Sequence, residues 1–243
     1  MRGVRPLIVK ALQKTGLNKP AHHVYYSFVH GFSTATPAVL PAQIRALEEA
    51  VKRGATESGD YYEFGLFKGY SFWHMQHQAD RIGLESMRFF GFDSFRGLPE
   101  VTGVDATDEA VFYRGQFACS KAQVIANLES KGVDWDRTVL VEGYFDRSLT
   151  WVIRQKYGMR PAAVALIDCD LYSSTRDVLR FLAPLIRTGT VLMMDDWNCF
   201  DGENARGQRL AMAEFLDRHP EITIGELFDY GDWGKVFVVE EVR

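Results

Sequence analysis

The sequence predicts a doubly wound α/β protein built on a mostly parallel sheet of seven strands, and three observations carry that prediction. Short apolar runs alternate with segments of helical period along most of the chain, the pattern of strands joined by crossover helices. Five of these runs end in an acid or a glycine, as strands do when their carboxyl ends face a ligand crevice. The last two runs, residues 221–229 and 234–240, are separated by a Gly-rich turn and read as an antiparallel hairpin closing the sheet.

The elements follow in order. Residues 1–40 hold a His-rich aromatic patch and a small-residue patch without a clear period, and read as a helical cap or a flap over a pocket. After Pro41, Ile44, Leu47 and Val51 recur at helical spacing until Gly54. Residues 60–67 read as a strand, 72–82 as a helix and 87–93 as a strand ending in Asp93. Residues 94–117 are Gly- and acid-rich, and long for a mere connection. A short helix (121–130), a strand (138–142), and a strand–helix–strand unit with strands at 163–167 and 190–194 come next. The helix of that unit begins near Ser173, and a further amphipathic helix, 208–218, precedes the hairpin. With no repeat or linker, residues 1–243 are expected to be one domain, 1–55 forming an N-terminal cap or lid and 56–243 the core.

Composition narrows the function classes. A chain of 243 residues that is 47% hydrophobic and 25% charged holds a sizeable core and is no disordered segment. A net charge of −4 argues against a nucleic-acid partner, which needs a basic face. Cys119, Cys169 and Cys199 are scattered and odd in number, which fits a reducing compartment. The N-terminal apolar run, 6–9, is cut by Lys10 and is too short for a secretory signal, and nothing reaches membrane-spanning length. The expected location is the cytoplasm, with no membrane partner.

The first strand runs into Glu63-Phe64-Gly65-Leu66-Phe67-Lys68-Gly69-Tyr70-Ser71, a glycine turn that opens a helix. Phe67 stands where a dinucleotide fingerprint needs its second glycine, so a pyrophosphate cradle is disfavoured. An acid at the strand end suits a ligand with a cationic amino-acid head; a plain strand–helix turn is the simpler alternative. Asp93 follows 24 residues after Gly69 (93 − 69), close to the offset at which an acid takes a ribose hydroxyl. Glu142-Gly143 would form an adenine edge.

The strand–helix–strand unit supplies four acids. Asp168 and Asp170 end one strand and Asp195 and Asp196 the other, so parallel strands bring both pairs to one sheet edge. Converging carboxylates repel one another unless a cation sits among them, and an all-oxygen set favours Mg²⁺ over zinc. Strand alternation turns Cys169 away from the acids and into the core. Asp168 or Asp170 would alternatively cap the following helix, and Asp170 is the weaker ligand candidate.

Four stretches in order, Glu63 to Ser71, Asp93-Ser94-Phe95-Arg96-Gly97-Leu98-Pro99, Asp168-Cys169-Asp170-Leu171-Tyr172-Ser173-Ser174-Thr175 and Asp195-Asp196-Trp197, together resemble the macrocin O-methyltransferase family over about residues 60–215. The resemblance implies the fold of class I S-adenosylmethionine (SAM) methyltransferases and Mg²⁺-dependent methylation of sugar hydroxyls of natural products. It implies that Glu63, Gly65, Ser71 and Asp93 hold SAM and that Asp168, Asp195 and Asp196 hold the metal; Gly69, Ser94, Gly143 and Asp168 are expected to border SAM beside them. Related catechol methyltransferases use a lysine base just after the first metal aspartate; here that position is Leu171. Asp168, or metal activation alone, is left to handle the proton.

The expected function is therefore SAM- and Mg²⁺-dependent O-methylation of a small-molecule sugar or glycoside hydroxyl, with a homo-oligomer left open. A catechol-type phenolic methyltransferase and a non-catalytic SAM- or nucleotide-binding protein are the alternatives. His22, His23, His30, His74, His77 and His219 are assigned to surface or packing, and Arg176 and Arg180 to a solvated helix face. Tyr25, Tyr26 and Phe28 read equally as pocket lining or core.

Overall fold

The seven runs form one sheet: β1 (Asp60–Phe64), β2 (Phe89–Asp93), β3 (Thr138–Glu142), β4 (Ala162–Ile167), β5 (Val191–Met194), β6 (Ile222–Tyr230) and β7 (Gly234–Val242). The structure, a computed structural model, describes Tyr25 and residues 31–106 and 112–243. Strand order is β3-β2-β1-β4-β5-β7-β6. The first five strands are parallel, and β7 is antiparallel to both β5 and β6. The order reverses between β1 and β4, which opens a crevice at their carboxyl ends.

Helices cover both faces. On one lie α1 (Val39–Lys52), α2 (Tyr70–Arg81) and α3 (Lys121–Glu129), packed on Tyr61, Phe89, Val164 and Val191. On the other lie the short α4 (Phe145–Ser148) and α5 (Trp151–Lys156), with α6 (Tyr172–Leu182) and α7 (Gly207–Arg218), packed on Tyr62, Phe64, Phe90 and Ile167. Strand alternation sorts these cores: Tyr61 and Glu63 face the first layer, Tyr62 and Phe64 the second. Phe64 stacks on Phe92 with ring centroids 4.8 Å apart, one rung of the β1–β2 pairing.

Several boundaries differ from the predicted ones, each for a local reason. Helix α1 starts at Val39 and not after Pro41, because a proline in the first turn forfeits no helical hydrogen bond. Its buried face packs on the sheet, so this part of the predicted cap belongs to the core layer. The predicted strand 60–67 ends at Phe64, where Gly65 takes φ +92°. The helices α4 and α5 were not predicted; they are too short to show a period. The cap expected over residues 1–30, with His22, His23, His30, Tyr26 and Phe28, lies outside the described residues apart from the exposed Tyr25.

Candidate functional site

A cavity of about 1150 Å³ opens where the strand order reverses. One wall is the turn after β1. A Cβ on Gly65 would sit 1.7 Å from the Asp168 carbonyl oxygen, so only glycine lets this turn lie against the end of β4. Gly65, Leu66, Phe67, Lys68, Tyr70 and Ser71 line the cavity. Gly69 does not; its left-handed φ of +84° starts α2, and its bare Cα packs against Val124 and Leu128. Glu63 also stands off the wall. It is fully buried one layer behind Ser71, whose hydroxyl donates to Glu63 Oε1 at 2.6 Å while the Tyr61 hydroxyl donates to Oε2. Burial pushes its carboxyl up to about 8, and these two hydrogen bonds only partly offset that.

Asp93, at the end of β2, lines the cavity and ties its loops together. Oδ2 accepts from the backbone N–H groups of Leu66 (2.7 Å) and Phe67 (3.2 Å), and Oδ1 from that of Phe95 (2.7 Å). Burial raises its pKa against the pull of those three donors. Ser94 lines the cavity with its hydroxyl donating to the Gly97 carbonyl, so it shapes a turn. Gly143 reaches the cavity as expected, whereas Glu142 turns outward to Lys121. Of the eight predicted cofactor residues, six line this space and Glu63 and Gly69 do not.

The far wall carries the acids. Ladder hydrogen bonds run one residue past the strands, from Asp168 N–H to Phe64 O (2.9 Å) and from Asp195 N–H to Ile167 O (3.1 Å), and these fix both carboxylates at one edge. Asp168, Asp195 and Asp196 each offer an oxygen, all within 4.8 Å of one another. Burial pushes Asp195 up to about 6; burial and then the Asp195 charge push Asp196 up to about 7. Burial first, then Asp195, Asp196, Asp170 and Glu63, hold Asp168 well above the usual carboxylate range. Asp195 Oδ1 and the Tyr230 hydroxyl are both buried with no partner in good hydrogen-bond geometry, although Tyr230 and Thr36 lie close enough to Asp195 to pull its pKa down against burial. An orphaned carboxylate oxygen among three all-oxygen donors fits a hard divalent cation.

Asp170 lies outside this group. Its backbone is left-handed (φ +58°), and its N–H donates to Asp196 Oδ2 at 2.8 Å, which steadies that carboxylate. Neither it nor Asp168 caps α6. That task falls to Asp105, from a one-turn 3₁₀ segment in the 94–117 stretch, whose carboxylate accepts from Tyr172 N–H (2.6 Å) and Ser173 N–H (3.1 Å). Sequence reasoning missed Asp105, because a cap supplied from 67 residues upstream leaves no local motif. Cys169 is core, its Sγ 3.5 Å from the Thr175 hydroxyl. Arg176 differs from its assignment: it lines the cavity rim and pairs with Asp177 at 3.0 Å. His77 is exposed, His219 pairs with Glu221 at 2.8 Å, and none of the described histidines lines the cavity. Among the described residues no helix is long and apolar enough to cross a membrane.

Residues 34–223 match the protein family described as Macrocin-O-methyltransferase (TylF). A Streptomyces olivaceus protein, 8-demethyl-8-(2,3-dimethoxy-alpha-L-rhamnosyl)-tetracenomycin-C 4'-O-methyltransferase, is 32% identical over 143 residues, 57% of this chain and 53% of that protein. Mycinamicin III 3''-O-methyltransferase of Micromonospora griseorubida is 25% identical over 179 residues, 71% of this chain and 65% of that protein. The matches thus span between 53% and 65% of the length of these relatives. Among solved structures, the O-methyltransferase NovP superposes with a TM-score of 0.68 at 20% identity, covering 85% of this chain and 80% of that one. The calicheamicin methyltransferase CalS11 gives 0.63 at 22% identity, covering 82% and 79%. These likenesses bear on the fold, and they bear out the class I methyltransferase architecture.

Proposed function

The chain belongs to the Macrocin-O-methyltransferase (TylF) family, and on that premise we propose that it is a SAM-dependent O-methyltransferase acting on a sugar hydroxyl of a glycosylated natural product. The observation that carries this reading is the meeting, in one cavity, of the Gly65–Ser71 turn and the Asp168, Asp195 and Asp196 cluster. The first is a place for a cationic amino-acid nucleoside, the second for a divalent cation. The rhamnosyl group in the name of the Streptomyces olivaceus relative supports the choice of acceptor.

SAM would lie with its amino-acid end toward Ser71 and the Glu63 carboxylate behind it, and its ribose toward Asp93 and Ser94. Gly65 would let it approach the end of β4. A cation such as Mg²⁺ on Asp168, Asp195 and Asp196 would supply charge compensation and Lewis-acid activation of the acceptor hydroxyl. When bound, SAM would supply the methyl group to the acceptor oxygen, the electron pair of its carbon–sulfur bond staying on sulfur. The hydroxyl proton would pass to Asp168, which stands at the cavity wall, or leave by metal activation alone. Holding both reactants in line is worth up to about 7–11 kcal/mol of barrier. Leu171, fully buried, leaves no lysine base of the catechol type at that position.

The test is release of S-adenosylhomocysteine from SAM over a panel of glycosylated natural products, before and after exhaustive chelation. Turnover is expected to fall by about a hundredfold or more on chelation and to return with Mg²⁺; full activity in chelator removes the metal from the account. Asp195→Asn is expected to cut turnover by a similar factor while S-adenosylhomocysteine still binds, and equal losses in both would make the acid structural.

A further inference from the structure

Helix α1 stays outside the cavity, yet one of its side chains reaches the groups behind the cofactor end. Six residues of α1 are buried, and five of them, Val39, Ala42, Ala46, Leu47 and Ala50, are apolar. The sixth, Gln43, is fully buried and partnered at both ends of its amide. Its Oε1 accepts from His74 Nδ1–H at 2.8 Å, and its Nε2 donates to the Tyr61 hydroxyl oxygen at 3.2 Å and the Ser71 carbonyl at 3.1 Å.

The direction of every bond downstream follows from this. An amide nitrogen only donates, so the Tyr61 oxygen accepts from Gln43 and its single proton goes to Glu63 Oε2. The Ser71 proton goes to Glu63 Oε1. Ser71 borders the cavity, and with Glu63 ionised its hydroxyl has only lone pairs left to offer a ligand. Both donors to Glu63 are neutral hydroxyls, so the charge it carries once ionised is hydrogen-bonded but not compensated, and without a cationic partner its carboxyl keeps a proton up to about pH 8. Burial also disfavours the charged form of His74, leaving Nδ1–H for Gln43 and an Nε2 that accepts from Gln78 at 3.3 Å.

We propose that Gln43 is a positioning residue for the amino-acid end of the cofactor, because it fixes the direction in which Tyr61 donates and anchors the Ser71 backbone, turning lone pairs and negative charge toward an ammonium group. This rests on the reading of the cavity as a SAM site. Gln43 itself touches no ligand; it acts through Tyr61, Ser71 and Glu63. In Gln43→Leu the donor is lost, and in Gln43→Glu the new carboxylate accepts from Tyr61 and draws its proton away from Glu63.

The test is calorimetric titration of the full chain with two probes, S-adenosylhomocysteine and 5′-methylthioadenosine, which shares the adenosine and sulfur but lacks the amino-acid end. Gln43→Leu is expected to weaken S-adenosylhomocysteine about tenfold, the loss of one good hydrogen bond to a charged site, and Gln43→Glu at least as much. Binding of 5′-methylthioadenosine is expected to be unchanged in both. Tyr61→Phe keeps the ring against Phe72 and Phe89 and breaks the same chain without touching α1. It should show the same selective loss, and it carries the test if the Gln43 variants do not fold. Parallel weakening of both probes, or none in a folded variant, overturns the proposal and leaves Gln43 a packing residue. A wild-type chain that binds neither probe overturns the cofactor reading itself, and the proposal with it.

Discussion

Asp60 and Asp196 are both buried acids at ends of the same sheet, and they are treated in opposite ways. Asp60 opens β1 at the amino end, fully buried. Arg88 and Arg160 both grip it: Arg88 Nη2 donates to Oδ2 at 2.6 Å and Arg160 Nε to Oδ1 at 2.8 Å, with the Arg160 backbone N–H adding a bond of 3.1 Å to Oδ2. At the carboxyl end Asp195 and Asp196 are buried and Asp168 and Asp170 half-buried, and no Lys or Arg stands among the charges acting on them. A buried charge needs a partner. One end of the sheet finds it within the chain and becomes scaffold; the other leaves the place for something that binds.

Breaking the compensated end gives the largest expected effect. Asp60→Ala leaves two guanidinium groups facing a hole and should lower stability toward the bottom of a range of about 3–5 kcal/mol. The lower figure applies because the arginine side chains are 30% and 32% exposed and can turn to solvent. Urea unfolding measures it, and turnover per folded molecule should be unaltered. Removing charge at the uncompensated end should act with the opposite sign. Asp196→Asn is expected to stabilise the metal-free protein by on the order of 1–2 kcal/mol, a rise of roughly 2–4 °C in Tm per kcal/mol. A metal-free protein destabilised by this change would erase the contrast.

The smallest effect is on pH dependence. Asp195, Asp196 and Glu63 are raised to about 6, 7 and 8, above their ordinary values. The folded state therefore holds protons that the unfolded chain releases near pH 4, and the stability they contribute is complete below that pH and lost as pH rises through 6 to 8. Metal-free protein should melt a few degrees lower at pH 8 than at pH 5. Saturating Mn²⁺ should raise the melting point more at pH 8, where the carboxylates are free to bind it. A flat profile without metal would mean that these acids are solvated.

Much of the fold was legible because each strand carries its own local signal. The runs ending at Phe64, Asp93, Glu142, Ile167 and Met194 all proved to be parallel strands, and the turn before Gly234 proved to join a hairpin. The three acids were legible for the same reason: a parallel strand delivers whatever follows it to one edge. What escaped depends on contacts distant in sequence. Asp105 caps a helix 67 residues on, and Gln43 reaches Tyr61 and Ser71 across 18 and 28 residues. Glu63 and Gly69 were expected at the ligand because they belong to a motif, but motif membership does not distinguish a wall from the layer that supports it.

The most direct test of an uncompensated carboxyl end is diffraction from crystals soaked with Mn²⁺ and S-adenosylhomocysteine, read at the manganese absorption edge. One anomalous peak is expected in contact with the carboxylates of Asp168, Asp195 and Asp196 together, about 2.0–2.3 Å from each ligand oxygen, with the nucleoside along Gly65, Ser71 and Asp93. A nucleoside seated there with the three acids bare of metal, or manganese bound only elsewhere, would contradict it.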